Sequence, residues 1–436
     1  MSESIADIRL LAEPAGGVPD VVETRQQFDT FIHHYEASDG PVAADAERAS
    51  GYRYGHRDFL VQLKREGAPI ALLDIEALKD ERVDWNAFNR LVTGEPWIIH
   101  DSLQDLPGFT DIGLKVDSLF DTEMAARLLG ATRFGLSSVT EKYLGVTLAK
   151  EHSGSDWSYR PLNRDMRNYA ALDVEVLIEL RSILITELKK AGKWDWALEE
   201  FEHLLEKGTA VADPHPQPWR RVSHITEVNA DPRALAVVKE LWETREKLAE
   251  ELDIAPTLLL EDASIIEAAK RKPRNARQFR AIRRLNERVR VQTSDDERNK
   301  MYERYASVQR NVKPKAWKEA IDRALAMPMA QVASEVELVG GEKRQQGSSP
   351  RSMKQWKEHH PERYARLTKA RELIGQVSQD THTPVEVLMK PQYIRNLCWQ
   401  ADADYSVSGI EEFLAEQGAR NWQVSLLAPS LSKVII

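Results

Sequence analysis

The rhythm of apolar and polar positions changes along the 436-residue chain. Between about 41 and 190, short apolar runs alternate with helical spacings. VAADAE (42–47), FLVQLKR (59–65) and PIALLDI (69–75) predict three strands, the last two joined through Glu66-Gly67-Ala68 in a hairpin-like connection. WNAFNRLV (85–92) has helical spacing, and WIIH (97–100) predicts a short buried strand. DTEMAARLLG (121–130) and LSSVTEKYLG (136–145) predict helices stopped by glycine. RDMRNYAALDVEVLIELRSILITELKKAG (164–192) predicts one long amphipathic helix. Strands first, then helices between strands, imply a mixed sheet with helices around it.

The rhythm then becomes helical. VADPHPQPWR (211–220) is proline-rich and predicts a linker. Helical patterns dominate 232–327 and 361–420, separated by a second linker candidate, EVELVGGEKRQQGSSPRS (335–352). The two helical segments look related. Pro256, Leu260, Ile265 and Ile266 precede Pro384, Leu388, Tyr393 and Ile394 by 128 residues each, which favours two copies of one small helical module.

Composition narrows the class. A single cysteine, Cys398, excludes an intramolecular disulfide and a cysteine-rich zinc site, in keeping with a reducing cytosol. No stretch approaches the roughly 18 apolar residues of a membrane span, and MSESIADIRLLAEPAGG lacks the pattern of a signal peptide. Net charge is −9, which argues against binding polyanions over the whole surface. Yet Lys270 to Arg290 holds ten Lys or Arg and one acid, Glu287. Arg277, Arg280 and Arg284 recur there at helical spacing. Such a face binds phosphates, or else is plain solvated surface.

The acids carry the candidate chemistry. On a strand, Asp45 and Glu47 point the same way and repel each other unless solvent or a cation intervenes. Asp105 follows the strand ending at His100, where the plainer reading is an acid favoured by a helix N-terminus. Tyr169 and Asp173 are four apart and share one helix face. Hard divalent ions prefer such oxygen ligands, and a two-metal nuclease needs several converging from different elements. His100 pairs with nothing at zinc-site spacing and reads as a packing or hydrogen-bonding residue.

Taken in order, the D-x-E strand, the later acid and Y-x-x-x-D resemble the DEDD superfamily of 3′-5′ exonucleases, in its tyrosine-containing subgroup. DAERASGYRYGHRDFLVQL, HDSLQDLPGF, DTEMAARLLG and SDWSYRPLNRDMRNYAALDVEVL closely resemble ribonuclease D. Residues 232–327 look like an HRDC domain, and 361–436 are similar to the second such module of that family. The resemblance implies an α/β ribonuclease H-like exonuclease domain followed by two small all-α HRDC-like domains. Its partition is a lead-in at 1–25, the exonuclease domain at 26–210, a linker at 211–231, an HRDC domain at 232–330, a linker at 331–358 and a second module at 359–436. It implies that Asp45, Glu47, Asp105 and Asp173 bind two divalent ions, Mg²⁺ or Mn²⁺, with Asp45 bridging them. Tyr169 would orient the attacking water. The implied activity trims RNA with a free 3′ end, such as tRNA precursors, to 5′-mononucleotides, in the cytoplasm. Asp101 departs from the small residue more usual there and is expected to face solvent rather than ligate.

Just before the last helix, SDWSYRPL offers Arg160 as a phosphate contact and Trp157 as a neighbour of the terminal nucleotide; the structural reading of Trp157 is a core anchor. Two other readings compete with exoribonuclease: a DNA exonuclease of repair, and a non-catalytic RNA-binding scaffold. The scaffold would be expected to lack a carboxylate, and all four are present. No G-x-x-x-x-G-K-[ST] occurs, so no nucleotide cofactor is expected. Nothing in the sequence demands a dimer, and the expectation is a monomer.

Overall fold

The computed structural model describes residues 8–149, 154–211, 215–286, 305–306, 308, 311–337, 349–350, 352–400 and 403–435. The centre of the second linker candidate and the Glu287–Arg290 end of the basic run lie outside these residues.

Six strands form a mixed sheet in the order β2–β5–β4–β3–β6–β7. They are β2 (Val21–Val22), β3 (Val42–Arg48), β4 (Asp58–Arg65), β5 (Ala71–Asp74), β6 (Trp97–Ile99) and β7 (Leu119–Asp121). β3 lies inside the sheet, antiparallel to β4 and parallel to β6. Its Val42, Ala43 and Ala44 are fully buried. β1 (Arg9–Leu11) and β8 (Val146–Leu148) form a separate parallel pair.

Among the described residues, nine helices of the same domain surround the sheet: α1 (Arg25–Glu36), α2 (Ile75–Asp80), α3 (Trp85–Val92), α4 (Leu106–Ile112), α5 (Thr122–Leu128), α6 (Leu136–Leu144), α7 (Arg164–Glu175), α8 (Leu177–Lys190) and α9 (Trp194–Thr209). α1 starts in a reciprocal capping box between Thr24 and Gln27 and buries Phe28, Phe31 and Tyr35. Alternation splits the sheet into two apolar faces. Ala44, Ala46, Val61, Leu63 and Leu73 join the main core, whereas Leu60 and Leu72 pack with Met166, Ala170 and Ala171 of α7. Asp45 and Glu47 sit opposite Gln62 and Leu60 in the ladder, on the α7 face.

Several expectations need correction. The long helix is two, broken at Val176. Lys64 Nζ takes the Glu175 carbonyl at 2.9 Å and its carboxylate at 2.7 Å, at the point where the ladder breaks. α7 then packs on β3–β5 while α8 packs on β6 and α5. The lead-in is part of the domain. Besides forming β1 and β2 it runs along α7, where Asn168 donates to the Ala12 carbonyl at 2.8 Å and Arg167 to that of Pro19 at 2.9 Å. The proline-rich segment is not a free linker either, because Trp219, Val222 and Val228 lie in the core of the first helical module.

Both helical modules begin alike. In the first, Pro232–Leu252, Pro256–Leu259 and Asp262–Arg271 follow one another; in the second, Pro361–Thr381, Val385–Leu388 and Pro391–Trp399. Each long helix ends on a left-handed residue, Asp253 (φ 47°) and His382 (φ 50°). Backbone equivalence therefore runs at 129 residues, since 382 − 253 = 129. The prolines that suggested 128 stand one position apart relative to that corner.

The same corner docks each module on the sheet domain. Asp253 accepts from Arg57 at 3.0 and 2.8 Å and pairs with Arg53 at 3.0 Å, while Ala255 N–H donates to the Tyr52 carbonyl at 2.9 Å. Around His382, Lys193 Nζ donates to the Leu128 carbonyl at 2.6 Å. The second module shares one continuous apolar cluster with the sheet. Trp196 stacks on Trp422 at 4.5 Å, and buried Glu200 accepts from Trp422 Nε1 at 2.9 Å and Arg420 Nε at 2.7 Å. No helix among the described residues is long and apolar enough to cross a membrane.

Gly130 (φ 82°) stands where a Cβ would lie 2.6 Å from the His382 carbonyl oxygen, whereas a Cβ at Gly113 (φ 88°) meets nothing. Gly113→Ala is expected to cost about 1 kcal/mol for the left-handed backbone. Gly130→Ala adds a backbone clash and is expected to cost at least about 2 kcal/mol. Parallel thermal melts check this; equal losses would show that the second module does not press on this turn.

Candidate active site

Asp45 and Glu47 come from β3, and Tyr169 and Asp173 from the face of α7 that covers it. α7 is set at its N-terminus by Asn163, whose side chain caps Met166 N–H at 2.8 Å. One carboxylate oxygen each from Asp45, Glu47 and Asp173 lies within 4.8 Å of the others. The Tyr169 hydroxyl hydrogen-bonds Asp173.

Asp105 stands at the N-cap of α4, yet its side chain makes no capping bond. The helix-start reading therefore does not account for it. Its Oδ1 takes Arg48 Nη2 at 2.5 Å instead. Asp105 is 3 % exposed and lies close enough to raise the pKa of Glu47 and Asp173. Asp101 (φ 58°) bonds Gln104 and stays outside the cluster. His100 Nδ1 bonds the Thr122 hydroxyl at 2.8 Å, in a hydrogen-bonding role.

Two residues emerge here that the motifs did not single out. The β3–β4 register slips after Glu47, leaving Phe59 as the extra residue and setting Arg48 opposite Asp58. Arg48 Nε is 3.0 Å from Asp58 Oδ1, and the Asp58 side chain is fully buried. Arg48 stands next to the D-x-E motif, but no sequence spacing links it to positions 58 and 105.

Burial raises every acid of the group. Asp45 is pushed up to about 8 by burial and then by Asp173, partly opposed by Arg48. Asp173 rises to about 7 through burial, with the Tyr169 hydrogen bond pulling the other way. Glu47 and Asp105 are held well above the carboxylate range by burial and by neighbouring acids, Asp45 foremost. Burial and then Asp173 raise Tyr169, so it stays a phenol at neutral pH.

Two carboxylates 4.8 Å apart repel by about 3.5 kcal/mol at an effective dielectric of about 20. Three such pairs would rival the whole stability of a domain, typically about 5–15 kcal/mol. The site must therefore hold protons or a cation. Arg48, the cation beside the acids, is already engaged by Asp58 and Asp105. An all-oxygen set of this kind fits a hard divalent ion, and fits zinc or copper poorly.

The nucleic-acid candidates fare differently. Trp157 is 1 % exposed and packs near Tyr169 at 6.1 Å between ring centres, so it is a core anchor with no face for a base. Arg160 is spent on Asp74 and on the carbonyls of Trp157, Tyr159 and Phe59, which removes it as a phosphate contact. Arg284 pairs with Glu261 at 2.9 Å. Arg277 and Arg280 are exposed on the short helix Ala276–Arg280 and form no ion pair among the described residues.

The raised carboxyls give a pH dependence of definite sign. Protons on Asp45 and Asp173 favour the folded metal-free protein. That contribution is complete below the unfolded value near 4 and is lost as pH rises through about 7 to 8. A cation needs the ionised forms, so its binding releases protons and tightens with pH. Calorimetric titration with Mn²⁺ near pH 6.5 should show heats that depend on the buffer's ionisation enthalpy, fading by about pH 9. Heats independent of buffer at pH 6.5 would mean that the carboxyls are already ionised.

Comparisons with known proteins cover almost the whole chain. The family model for a 3′-5′ exonuclease matches residues 19–189, that for an HRDC domain residues 234–296, and that for the 3′ to 5′ exonuclease C-terminal domain residues 349–435. The last gives the second helical module a family model of its own, and both modules share the corner described above. Ribonuclease D of Nitrobacter hamburgensis is 31 % identical over 223 residues, 50 % of this chain and 57 % of that protein. The Cronobacter turicensis ribonuclease D is 28 % identical over 53 % of this chain and 62 % of its own length. The chain thus spans about three fifths of the length of these curated relatives. A crystal structure of a protein from Bifidobacterium adolescentis is 56 % identical, with TM-score 0.90, covering 98 % of this chain and 99 % of that one. Escherichia coli RNase D shares the fold at TM-score 0.60 and 20 % identity, over 95 % of this chain and 98 % of its own. The acids that the fold gathers on β3 and α7 fall within the matched 3′-5′ exonuclease region, and the curated proteins that this chain resembles over about half its length are ribonucleases D.

Proposed function

We propose that this protein is a metal-dependent 3′-5′ exoribonuclease that removes nucleotides from RNA 3′ ends as 5′-monophosphates. The observation that carries the reading is the convergence of Asp45, Glu47 and Asp173 within 4.8 Å beside Tyr169. The names of the two curated relatives above, both ribonuclease D, support RNA as substrate, as does the description of the E. coli protein as an exoribonuclease of structured RNA processing.

Asp45, Glu47, Asp105 and Asp173 would hold two divalent ions, Mg²⁺ or Mn²⁺. Bound there, the ions neutralise charge that would otherwise repel a phosphodiester, and lower the pKa of a water. The chain's own part is orientation. Tyr169 remains protonated, so its hydroxyl can position a water while the carboxylate of Asp173 fixes its direction. It does not act as the base. The enzyme acts as a monomer on RNA with a free 3′ end.

Arg277 and Arg280 supply an exposed basic face on the first helical module, suited to the RNA backbone. At roughly 0.7 of log–log salt slope per single-strand phosphate contact, Arg277→Gln with Arg280→Gln is expected to flatten the slope of RNA binding by about 1.4. Adding Arg284→Gln should change little, because Glu261 already engages it. Filter binding across a salt series reads this, and an unchanged slope would leave the face as solvated surface.

Asp45→Asn is expected to slow hydrolysis by roughly 10³-fold or more, the scale of losing a principal transition-state stabiliser. It should also raise the melting temperature of the metal-free protein, because one repelling carboxylate is gone. Tyr169→Phe is expected to slow the chemical step about a hundredfold. The readout is the ladder from 5′-labelled RNA and matched DNA with Mg²⁺, Mn²⁺ or EDTA. Wild-type-like turnover by Asp45→Asn would remove the catalytic assignment, and a ladder on DNA alone would move the substrate to DNA.

A further inference from the structure

Arg48 and Asp58 lie outside the carboxylate and tyrosine set, and their geometry is that of a built support. Asp58 is fully buried on its side chain, and Arg48 is its one ion-pair partner among the described residues. Gly108 in α4 makes the room. A Cβ there would lie 2.1 Å from Asp58 Oδ2, so any other residue would push the carboxylate away. Asp58 thus anchors the guanidinium through Nε at 3.0 Å. The other arm, Nη2, reaches the Gln104 carbonyl and Asp105 Oδ1, both at 2.5 Å. One planar fork therefore fixes the strand, the turn before α4 and the carboxylate on that turn. Asp105 Oδ2 has no partner among the described residues, and Asp105 is 3 % exposed beside the other acids.

We infer that Arg48, anchored by Asp58, is a positioning residue that holds Asp105 by one carboxylate oxygen and leaves the other for a metal ion. The inference rests on the proposed metal-dependent reading of the same site. Groups that orient a metal's ligands commonly control affinity by about 10–100-fold. A guanidinium does this better than an ammonium, because its donors lie in one rigid plane. Charge alone predicts no change in a variant that keeps the cation. A loss of affinity that vanishes without the Asp105 carboxylate therefore separates positioning from charge.

The test is Mn²⁺ binding, followed by the electron paramagnetic resonance of free Mn²⁺, to the full-length protein. Arg48→Lys keeps the charge and loses the fork. It is expected to weaken Mn²⁺ binding about tenfold, and to have no effect in an Asp105→Asn background, because the residue acts through Asp105. Circular dichroism and a melt confirm folding, and a merely structural role would move the melt without moving the affinity. Should Arg48→Lys fail to fold, Asp58→Asn is put through the same cycle with the same expected pattern. If wild type binds Mn²⁺ and the variant binds it equally, or more tightly, or loses as much in both backgrounds, the inference is overturned and the metal reading stands. If wild type binds no Mn²⁺, the metal reading falls and takes the inference with it.

Discussion

Repulsion among the carboxylates between β3 and α7 is the constraint on which the rest of the structure depends. Three acids within 4.8 Å, with a fourth at the start of α4, would not assemble of their own accord. The fold forces them together through strong apolar contacts elsewhere. Val42, Ala43 and Ala44 are fully buried in β3, and Met166, Ala170 and Ala171 clamp α7 onto the sheet. Burial first, and repulsion after it, leaves carboxyls that hold protons above their ordinary range, and together they give the site its appetite for a cation.

Much of the surrounding structure holds that unfavourable cluster in place. Lys64 ends α7 by taking the carbonyl of Glu175, close behind Asp173. The N-terminal segment runs along α7 and bonds Asn168, next to Tyr169. Arg160 and Trp157 brace the approach to the same helix from inside the protein. Their part is indirect, which is why residues that looked suited to a nucleotide turn out to be supports.

The helical modules extend this bracing. The first rests its left-handed corner on Arg53, Arg57 and Tyr52, on the loop that follows the D-x-E strand. Its Tyr305 donates to Asp156 at 2.8 Å, on the loop that leads into α7. Loops on both flanks of the acid cluster are thus touched by a module that also carries exposed arginines. The second module merges its core with the exonuclease domain and presses its equivalent corner on the turn after α5. One backbone device, used twice, mounts both modules.

The sequence by itself determined the elements whose signals are local. Short apolar runs marked β3, β4 and β5, and helical spacing with a glycine stop marked α6. The D-x-E and Y-x-x-x-D spacings already put each pair of residues on one face, because alternation along a strand and the helical turn are properties of the backbone. β7 and β8 escaped notice, since neither has the unbroken apolar run that marked the equally short β6. Only the tertiary structure decided that Asp105 joins the other acids rather than capping α4, that Arg48 meets Asp58 across a slipped register, and that Trp157 is sealed in the core. It also broke the helix at Val176, where a lysine from a strand bonds the Glu175 carbonyl. The physical reason is the same in each case. Hydrogen bonds and ion pairs between residues far apart along the chain depend on register and packing, and neither is written in the spacing of neighbouring residues.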